Sequence, residues 1–188
     1  MQVFLAELDR VEQFKAPVLI SDADLSLRLM RDDEDDYAQM SAWLSDPRVL
    51  EFYEGRDSPY SIEDVREQYS PRLMAAEGVT PCFIEYDKAA IGYVQFYPME
   101  EINVWGLDQF IGVPELWNRG LGTRVVRLMV DYLFSTRGAV KCVLDPQAVN
   151  ERAIRCYEKA GFRKVRLLPA SELHEGEYRD CWLMEALR

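Results

Sequence analysis

Histidine, paired cysteines and long apolar runs are scarce or missing in this chain of 188 residues, which has one histidine and four cysteines. The cysteines form no C-x-x-C pair, so the close grouping of ligands in a zinc site is missing, and we expect no metal. No run approaches the ~20 apolar residues of a membrane-spanning helix, and the N-terminus carries acids where a signal peptide is apolar. These absences predict a cytoplasmic protein with no membrane partner, whose thiols are core residues and whose His174 lies in a solvated loop.

Positive charge is also in short supply, because 22 lysines and arginines face 33 aspartates and glutamates, which gives a formal net charge of −11. Without a basic stripe to meet phosphates, a nucleic-acid partner is not expected. A negative field raises the rate of encounter with cationic small molecules such as polyamines or aminosugars. The same charge also serves ordinary solubility, so charge alone leaves both interpretations open.

Apolar periodicity predicts one domain that mixes strands and helices. Strand patterns lie at 25–30, 81–86, 90–97, 105–113, 141–144, 163–168 and 178–185. Helical spacing and capping residues indicate helices that begin near the acids at 32–36, after the Ser61/Asp64 capping box, at Leu121 and after Asn150. Pro71 is expected to break the second helix near Tyr69. The order of these elements predicts an α+β (mixed α/β) sheet and not a doubly wound one.

A glycine-containing turn, Trp117-Asn118-Arg119-Gly120-Leu121-Gly122-Thr123, connects a predicted strand to a long amphipathic helix. Its glycines allow the backbone to approach a ligand, and the helix N-terminus presents unpaired N–H groups and positive dipole charge. Val125 stands where a Rossmann fingerprint needs a third glycine, and the Gly-Lys-Ser/Thr of a Walker loop is missing. The turn therefore predicts a phosphate site of another type.

A second signature lies downstream as Asn150, Ala153, Tyr157, Gly161 and Phe162, in N-x-x-A-x-x-x-Y-x-x-x-G-F spacing. Together with the glycine turn, it resembles the GNAT acetyltransferase superfamily, whose Q/R-x-x-G-x-G/A motif binds the pyrophosphate of acetyl-CoA. Trp117 stands where the superfamily usually has Gln or Arg, which removes a polar partner but leaves the backbone amides. The resemblance implies a GNAT-type, mostly antiparallel sheet of six to seven strands flanked by about four helices. This acetyltransferase domain would span 21–188, after an N-terminal extension over 1–20.

Within that superfamily the chain is similar to bacterial aminoglycoside 6'-N-acetyltransferases. The matching stretches are DVREQY at 64–69, IGYVQ at 91–95, GLDQ at 106–109, GLGT at 120–123, DP at 145–146 and RAIRCYEKAGF at 152–162. The acidic, tryptophan-containing loop that enlarges the antibiotic pocket in some relatives is shortened here to 98–105.

The resemblance implies that acetyl-CoA is the cosubstrate and that its pyrophosphate meets the backbone N–H groups of the turn. The expected coenzyme-binding residues are Ile111, Gly112, Val113, Asn118, Arg119, Gly120, Leu121, Gly122, Thr123, Asn150 and Tyr157. The Arg119 side chain would add charge, and a strand N–H near Ile111 to Val113 would meet the oxyanion, with Gly112 permitting close approach. Asn150 is most simply a helix cap.

Acyl transfer to an amine also needs a proton acceptor and a proton donor. Asp108 interrupts an otherwise apolar strand, where a charge is costly unless it is paired or functional, so we expect it to be the base. Tyr157 is expected to donate to the departing thiolate, since a phenol with a pKa of about 10 is protonated at neutral pH. Asp145, before Pro146, is expected to anchor substrate amines; the alternative is a simple turn-forming Asp-Pro.

Aromatic and acidic residues complete the predicted acceptor side. Tyr53 and Tyr69 would stack on a sugar or an ammonium group, although a core role is equally open for both, and Trp43 is expected in the core. Glu54, Glu100 and Glu101 would line the same cleft. The function predicted is acetylation of a cationic amine, most closely the 6'-amine of aminoglycosides, by a monomer or homodimer. The alternatives are another acceptor (a polyamine, a siderophore precursor or a protein N-terminus) or a non-catalytic acetyl-CoA sensor.

Overall fold

The computed structural model describes residues 16–188, in which eight strands form one sheet in the order β1-β2-β3-β4-β5-β6-β8-β7. The strands are β1 Val18–Asp22, β2 Leu25–Leu29, β3 Thr80–Tyr86, β4 Ala89–Pro98, β5 Val104–Ile111, β6 Lys141–Leu144, β7 Arg163–His174 and β8 Glu177–Leu187. All neighbours are antiparallel except β5 and β6. The predicted mixed, mostly antiparallel sheet is confirmed, with more strands than the six to seven expected.

The additional strand is β1, which pairs with β2 and begins inside the expected N-terminal extension over 1–20. Residues 1–15 of that extension lie outside the described residues. Only five residues long and largely exposed, β1 shows none of the alternation by which the other strands were predicted.

The helices in the described residues are α1 Glu34–Trp43, α2 Pro47–Leu50, α3 Ile62–Tyr69, α4 Pro71–Ala76, α5 Leu121–Thr136 and α6 Glu151–Lys159, with a 3₁₀ turn at Pro114–Leu116. Their starts follow capping chemistry: the Asp33 carboxylate accepts from the Asp36 N–H, and Ser61 and Asp64 form a complete capping box. Asn150 accepts from the Ala153 N–H, as its predicted role as a cap requires. Pro71 separates α3 from α4, because its ring cannot continue the preceding helix.

Both faces of the sheet are covered over its central strands. The apolar stripe of α5, which includes Val125, Met129 and Leu133, packs against one face. On the other face α1, α3 and α4 form a second cluster that contains Trp43, which confirms its predicted place in the core. The sheet is thus fixed from both sides, and the polar side chains of its central strands are held in place by these two layers.

The β7–β8 hairpin is longer than predicted, since residues 169–177, which separate the two predicted strands, lie mostly in strands. Glu175 and Gly176, both with positive φ, make the two-residue turn that such a hairpin favours. His174, at the end of β7, is only 4% exposed, and its Nε2 lies 2.9 Å from the Glu51 carbonyl oxygen. The prediction of a solvated loop residue is therefore wrong, because the hairpin folds back onto the chain after α2.

Cys82, Cys142 and Cys181 are buried and unpaired, as expected of core thiols, whereas Cys156 is half-buried. No helix in residues 16–188 is long and apolar enough to cross a membrane. The same residues contain no cluster of three or more histidine, cysteine, aspartate or glutamate side chains arranged to hold a metal ion.

Candidate active site

A cleft of about 760 Å³ opens where β5 and β6 part. The two strands pair only over Val104–Gly106 of β5, after which β5 continues to Ile111 without β6 beside it. The predicted site residues that line this cleft are Tyr53, Glu54, Tyr69, Asp108, Ile111, Asn118, Gly120, Leu121, Gly122, Thr123, Asp145, Asn150 and Tyr157. Residues from six separate segments of the chain are thus brought to one place by the divergence of two strands.

The glycine turn forms one end of this cleft. Asn118 and Gly120 adopt left-handed backbone conformations, with φ of 61° and 80°, and Gly120 occupies the N-cap position of α5. Within the described chain no side chain caps this helix, so the N–H groups of Leu121 to Thr123 remain available to an anion. Gly122 has a different role, since an added Cβ would lie 3.3 Å from the Cys156 sulfur.

Trp117 fixes the approach to this turn. Its indole Nε1–H donates to the Ile111 carbonyl oxygen at 2.8 Å. This bond ties the turn to the end of β5 and satisfies a carbonyl that points away from β4. Where the superfamily usually has Gln or Arg, this chain therefore has a tryptophan whose side chain shapes the turn by a hydrogen bond to the backbone of β5.

The role expected for Gly112, at the end of β5, differs from what the structure shows. The Gly112 N–H donates to the Ile91 carbonyl oxygen at 2.8 Å, so it is already used within the sheet. A Cβ at Gly112 would overlap the Trp43 ring, which means that this glycine accommodates Trp43 and not a ligand. Because hydrogen-bonded pairs alternate along antiparallel strands, the N–H of Ile111 points to the open side instead.

Four other predicted residues also lie outside the cleft lining. Val113 is adjacent to the cleft but does not line it, and the Arg119 side chain is exposed to solvent. Glu100 and Glu101 lie in the β4–β5 turn, at the opposite end of β5 from the glycine turn. Glu101 pairs there with Lys141 at 2.8 Å, so the expectation that these two glutamates line the cleft is wrong.

Asp108 lies in the middle of β5, directly opposite Gln95 of β4. The Tyr93 hydroxyl donates to Gln95 Oε1 at 2.8 Å, and Gln95 Nε2 donates to Asp108 Oδ2 at 3.0 Å. This chain of hydrogen bonds orients the carboxylate of Asp108, which lines the cleft. Burial raises the pKa of Asp108, and the hydrogen bonds from Gln95 and Tyr97 offset only part of that rise. A carboxylate with a raised pKa is a better proton acceptor.

Tyr97 and Gln95 are functional candidates that the sequence reasoning missed. The sequence feature that could have identified them is the alternation of side chains along β4, which places residues 93, 95 and 97 on one face of the sheet. A Cβ at Gly106, the residue opposite Tyr97, would overlap the tyrosine ring. Glycine there lets the ring lie across β5, close to Asp108.

Asp145 follows β6 and approaches Asp108 from the other side of the cleft. Burial, then the charge of Asp108, then that of Glu172 raise the pKa of Asp145 to about 6. The Glu172 carboxylate is held by Gln147 Nε2 at 2.9 Å and lies 3.2 Å from His174 Nδ1. Three carboxylates, one in β5, one directly after β6 and one in β7, therefore line one cleft, and their field favours a cation carrying several amines.

Glu172 was missed because its segment was predicted as a loop without partners. Its position depends on the pairing of β7 with β8, which brings Ser171 and Glu172 over the cleft.

Tyr157 projects from α6 into the cleft and is 8% exposed. Burial raises its pKa well above the usual value for a phenol, and the negative charges of Asp108 and Asp145 add to this rise. The hydroxyl therefore remains protonated at neutral pH and can donate a proton or a hydrogen bond.

Tyr53, Tyr69 and Glu54 form the wall opposite α6. The Tyr69 hydroxyl donates to the Glu54 carboxylate, and the Tyr53 ring packs on Phe110 with centroids 4.5 Å apart. Burial raises the pKa of both tyrosines, so both present neutral phenols. An aromatic wall beside carboxylates suits a ligand with an apolar ring face and cationic substituents.

Comparison with known proteins adds independent findings. A sequence profile described as an acetyltransferase (GNAT) domain matches residues 32–169. The chain is 37% identical over 155 residues to the aminoglycoside N(6')-acetyltransferase type 1 of Klebsiella pneumoniae, covering 77% of this chain and 76% of that protein. It is 31% identical over 98 residues to the spermidine N(1)-acetyltransferase of Escherichia coli K12, covering 52% and 53% of the two chains. The solved structure of AAC(6')-Ib with ribostamycin and coenzyme A matches with a TM-score of 0.77 and 32% identity, covering 88% and 94%.

Proposed function

The chain belongs to the GNAT acetyltransferase family, and from this premise we propose that it acetylates the 6'-amine of aminoglycosides. It is an acetyl-CoA-dependent N-acetyltransferase, as its relatives are. The observation that carries the choice of acceptor is the group of carboxylates at Asp108, Asp145 and Glu172, which face one another in a cleft that also contains the glycine turn.

The described residues suit a coenzyme with a diphosphate. The free N–H groups of Leu121, Gly122 and Thr123 converge at the start of a 16-residue helix, where an anion is stabilised by direct hydrogen bonds and by the helix dipole. The Ile111 N–H, on the open edge of β5, can take a carbonyl group of an extended chain laid along that edge. Acetyl-CoA supplies the acetyl group as a thioester.

Asp108 acts on the acceptor amine. An aliphatic ammonium is mostly protonated at neutral pH and has no lone pair for attack, so it must first lose a proton. The oriented carboxylate holds the ammonium and accepts that proton, directly or through one water molecule. Gln95 and Tyr97 hold Asp108 in place.

Tyr157 acts at the other end of the transfer. When the amine attacks the acetyl carbonyl carbon, the carbon–sulfur bond breaks and the sulfur leaves as a thiolate. The protonated Tyr157 hydroxyl donates to that thiolate, whose pKa as a simple thiol is about 8.5. The Ile111 N–H is placed to stabilise the carbonyl oxygen during attack. Transfer is direct, without an acyl-enzyme.

Asp145 and Glu172 bind further amines of the acceptor. Their carboxylates come from β6 and β7, so a substrate with several ammonium groups spans the cleft where a monoamine does not. The short loop at 98–105 supplies no wall to the cleft, and the β7–β8 hairpin with the segment around Tyr53 encloses the acceptor instead.

A matched pair of aminoglycosides tests this proposal directly. The two compounds differ only at the 6' position, which carries an amine in one and a hydroxyl in the other. Thiol release from acetyl-CoA should occur with the amine and fall to background with the hydroxyl analogue. Equal turnover of both would place the reaction at another amine, and turnover of neither would remove aminoglycosides as the acceptor.

A polyamine is the second candidate. The similarity to a spermidine acetyltransferase over about half of this chain favours it, as does the row of carboxylates, which suits a linear polycation. Spermidine assayed beside the aminoglycosides separates the two, since kcat/KM should be at least ~10²-fold higher for the true acceptor. The acetyl-CoA sensor is the weaker alternative, because a sensor needs the glycine turn but neither Asp108 nor Tyr157.

A further inference from the structure

Two arginines line the described part of the cleft, and they differ in their partners. Arg155 is exposed and pairs with Glu151 of the same helix at 2.8 Å. Arg152 is half-buried, one turn closer to the start of α6, and makes no ion pair with any residue in 16–188. The charge of Glu51 acts on Arg152, but the two side chains form no hydrogen bond or ion pair. The positive charge of Arg152 therefore has no directly bonded negative partner within residues 16–188.

The Arg152 guanidinium lies over the Trp117 ring, with its central carbon 3.9 Å from the ring centroid. The ring itself is fixed, because its Nε1–H is bonded to the Ile111 carbonyl oxygen. Stacking of this kind uses the flat face of the guanidinium and leaves the N–H groups at its edge free for a bidentate acceptor. Trp117 thus contacts the Arg152 guanidinium without forming a hydrogen bond to its N–H groups.

The surroundings of Arg152 favour an anion. Trp117 begins the turn that contains Asn118 and Gly120. The left-handed conformations of these two residues lead the chain into α5, whose free N–H groups lie at the same cleft. Burial also lowers the pKa of Arg152, which reflects the cost of removing the charged form from water without a partner. A phosphate group would restore that partner and accept two parallel hydrogen bonds.

We propose that Arg152 binds a phosphate group of the coenzyme and that Trp117 is its positioning residue. The proposal rests on the acetyl-CoA dependence of the enzyme and does not depend on the identity of the acceptor. It assigns to α6 a charged contact in place of the polar partner that the superfamily's usual Gln or Arg would bring at 117. It also replaces the exposed Arg119 side chain as the source of that charge.

The test is calorimetric binding of coenzyme A to the wild type, Arg152→Gln and the matched control Arg155→Gln. Both variants lose one positive charge from the same helix in the same cleft. We expect Arg152→Gln to weaken binding ~10- to 100-fold, the range for a charged hydrogen-bonded contact, and Arg155→Gln to change it less than ~3-fold. Equal affinities for the wild type and Arg152→Gln overturn the assignment of Arg152. A wild type that binds no coenzyme A would instead overturn the acetyl-CoA function itself.

Coenzyme fragments identify the phosphate. With dephospho-coenzyme A, which lacks the 3'-phosphate, an unchanged effect of Arg152→Gln assigns Arg152 to the diphosphate, and a vanished effect assigns it to the 3'-phosphate. With S-acetylpantetheine, which has no phosphate, kcat/KM should be the same for the wild type and Arg152→Gln. An equal loss with that compound would overturn the proposal, since Arg152 would then act without a phosphate.

Two variants of Trp117 test the positioning role. Trp117→Phe keeps an aromatic face under the guanidinium but loses the bond to Ile111, and Trp117→Leu loses both. We expect Trp117→Leu to bind coenzyme A as weakly as Arg152→Gln and Trp117→Phe to recover most of the affinity. Because a ring that served only to pack the turn would not couple to Arg152, the double variant Trp117→Leu/Arg152→Gln should be no weaker than either single one. Additive losses would overturn the role of Trp117.

Discussion

Replacing Asp108 by asparagine should separate catalysis from stability. Asparagine has the same size as aspartate, and its side-chain oxygen can still accept from Gln95 Nε2, which now donates to Asp108 at 3.0 Å. The fold around β4 and β5 should therefore stay intact. What the variant loses is a negative charge beside the acceptor amine and the ability to take a proton from it.

The size of the effect follows from that charge. An ammonium about 4 Å from a carboxylate is attracted by about 4 kcal/mol at an effective dielectric constant near 20. Desolvation of both groups offsets part of this energy, and a lost proton acceptor by itself slows a reaction ~10²- to 10⁴-fold. We therefore expect kcat/KM for the amine to fall at least ~10²-fold, with the Kd for coenzyme A nearly unchanged.

Stability should move in the opposite direction. Because burial raises the folded-state pKa of Asp108, the free energy of unfolding falls as the pH rises past the ordinary pKa of an aspartate, and the loss is complete once the pH exceeds the raised pKa. That penalty is absent in acid, where the group is protonated in both states, and it appears as the pH rises. Asparagine removes it, so at neutral pH the variant should be at least as stable to urea as the wild type.

The pH profile supplies a further readout through Asp145, whose pKa of about 6 is raised by burial, by the charge of Asp108 and by that of Glu172. Asp145 binds an ammonium only when ionised, so in the wild type the KM for the amine should rise as the pH falls through about 6. Without the charge of Asp108, this acidic limb should move to lower pH. The assay is steady-state thiol release at a series of pH values with saturating acetyl-CoA.

Asp131→Asn is the control for the loss of one negative charge, since Asp131 is exposed on α5 outside the cleft lining. It should leave kcat/KM, stability and the pH profile as in the wild type. Full activity in the Asp108 variant would refute its role as the base. A loss of activity that ran parallel to a loss of stability would show that Asp108 supports the fold instead.

Three further predictions concern single residues. Tyr157→Phe should lower kcat ~10²-fold in the thiol-release assay with little change in coenzyme affinity, and an unchanged kcat would exclude Tyr157 as the proton donor. Gly120→Ala should lower the free energy of unfolding in urea by about 1–2 kcal/mol, because alanine is strained at a φ of 80° even with open space around it; a neutral result would mean that the turn relaxes. His174→Ala should lower it by about 1–3 kcal/mol, since it removes the contacts of a buried imidazole with the Glu51 carbonyl oxygen and with Glu172, which Gln147 then holds alone among its nitrogen donors. The same variant should raise the KM of the amine without changing the Kd of coenzyme A, and the reverse pattern would contradict the placement of Glu172.

Much of the fold could be predicted because its signals are local. Caps at Asp33, Ser61 and Asn150 set the starts of three helices, and Pro71 set the end of the one that Ser61 begins, each by contacts within about one turn. Strands at the centre of the sheet are buried on one or both faces, so their apolar patterns were visible. The hairpin of β7 and β8 was less visible, because nearly all of β7 is exposed and its pairing extends over twelve residues.

Parts of the candidate site could also be predicted, because their signals are local in the sequence. The glycine turn has its chemistry within seven consecutive residues, and Asp108 stood out as a charge inside an apolar strand. The role predicted for Gly112 was wrong. A glycine in a strand indicates that another group comes close to the backbone, but the sequence does not identify that group, which here is the Trp43 ring. The prediction that Glu100 and Glu101 line the cleft was wrong for a similar reason, since the acidic character of a loop does not indicate at which end of β5 the loop lies.

By itself the sequence determined the elements, a turn whose N–H groups suit an anion, and the presence of a carboxylate and a phenol suited to moving protons. Only the tertiary structure decided that β5 and β6 separate after Gly106, that Gln95 and Tyr97 orient Asp108, and that Glu172 joins the cleft. Periodicity and capping depend on neighbours a few residues apart, and a sequence displays these directly. Register, the side to which a strand N–H points and the meeting of distant carboxylates depend on pairings made across the whole chain, and these exist only once it has folded.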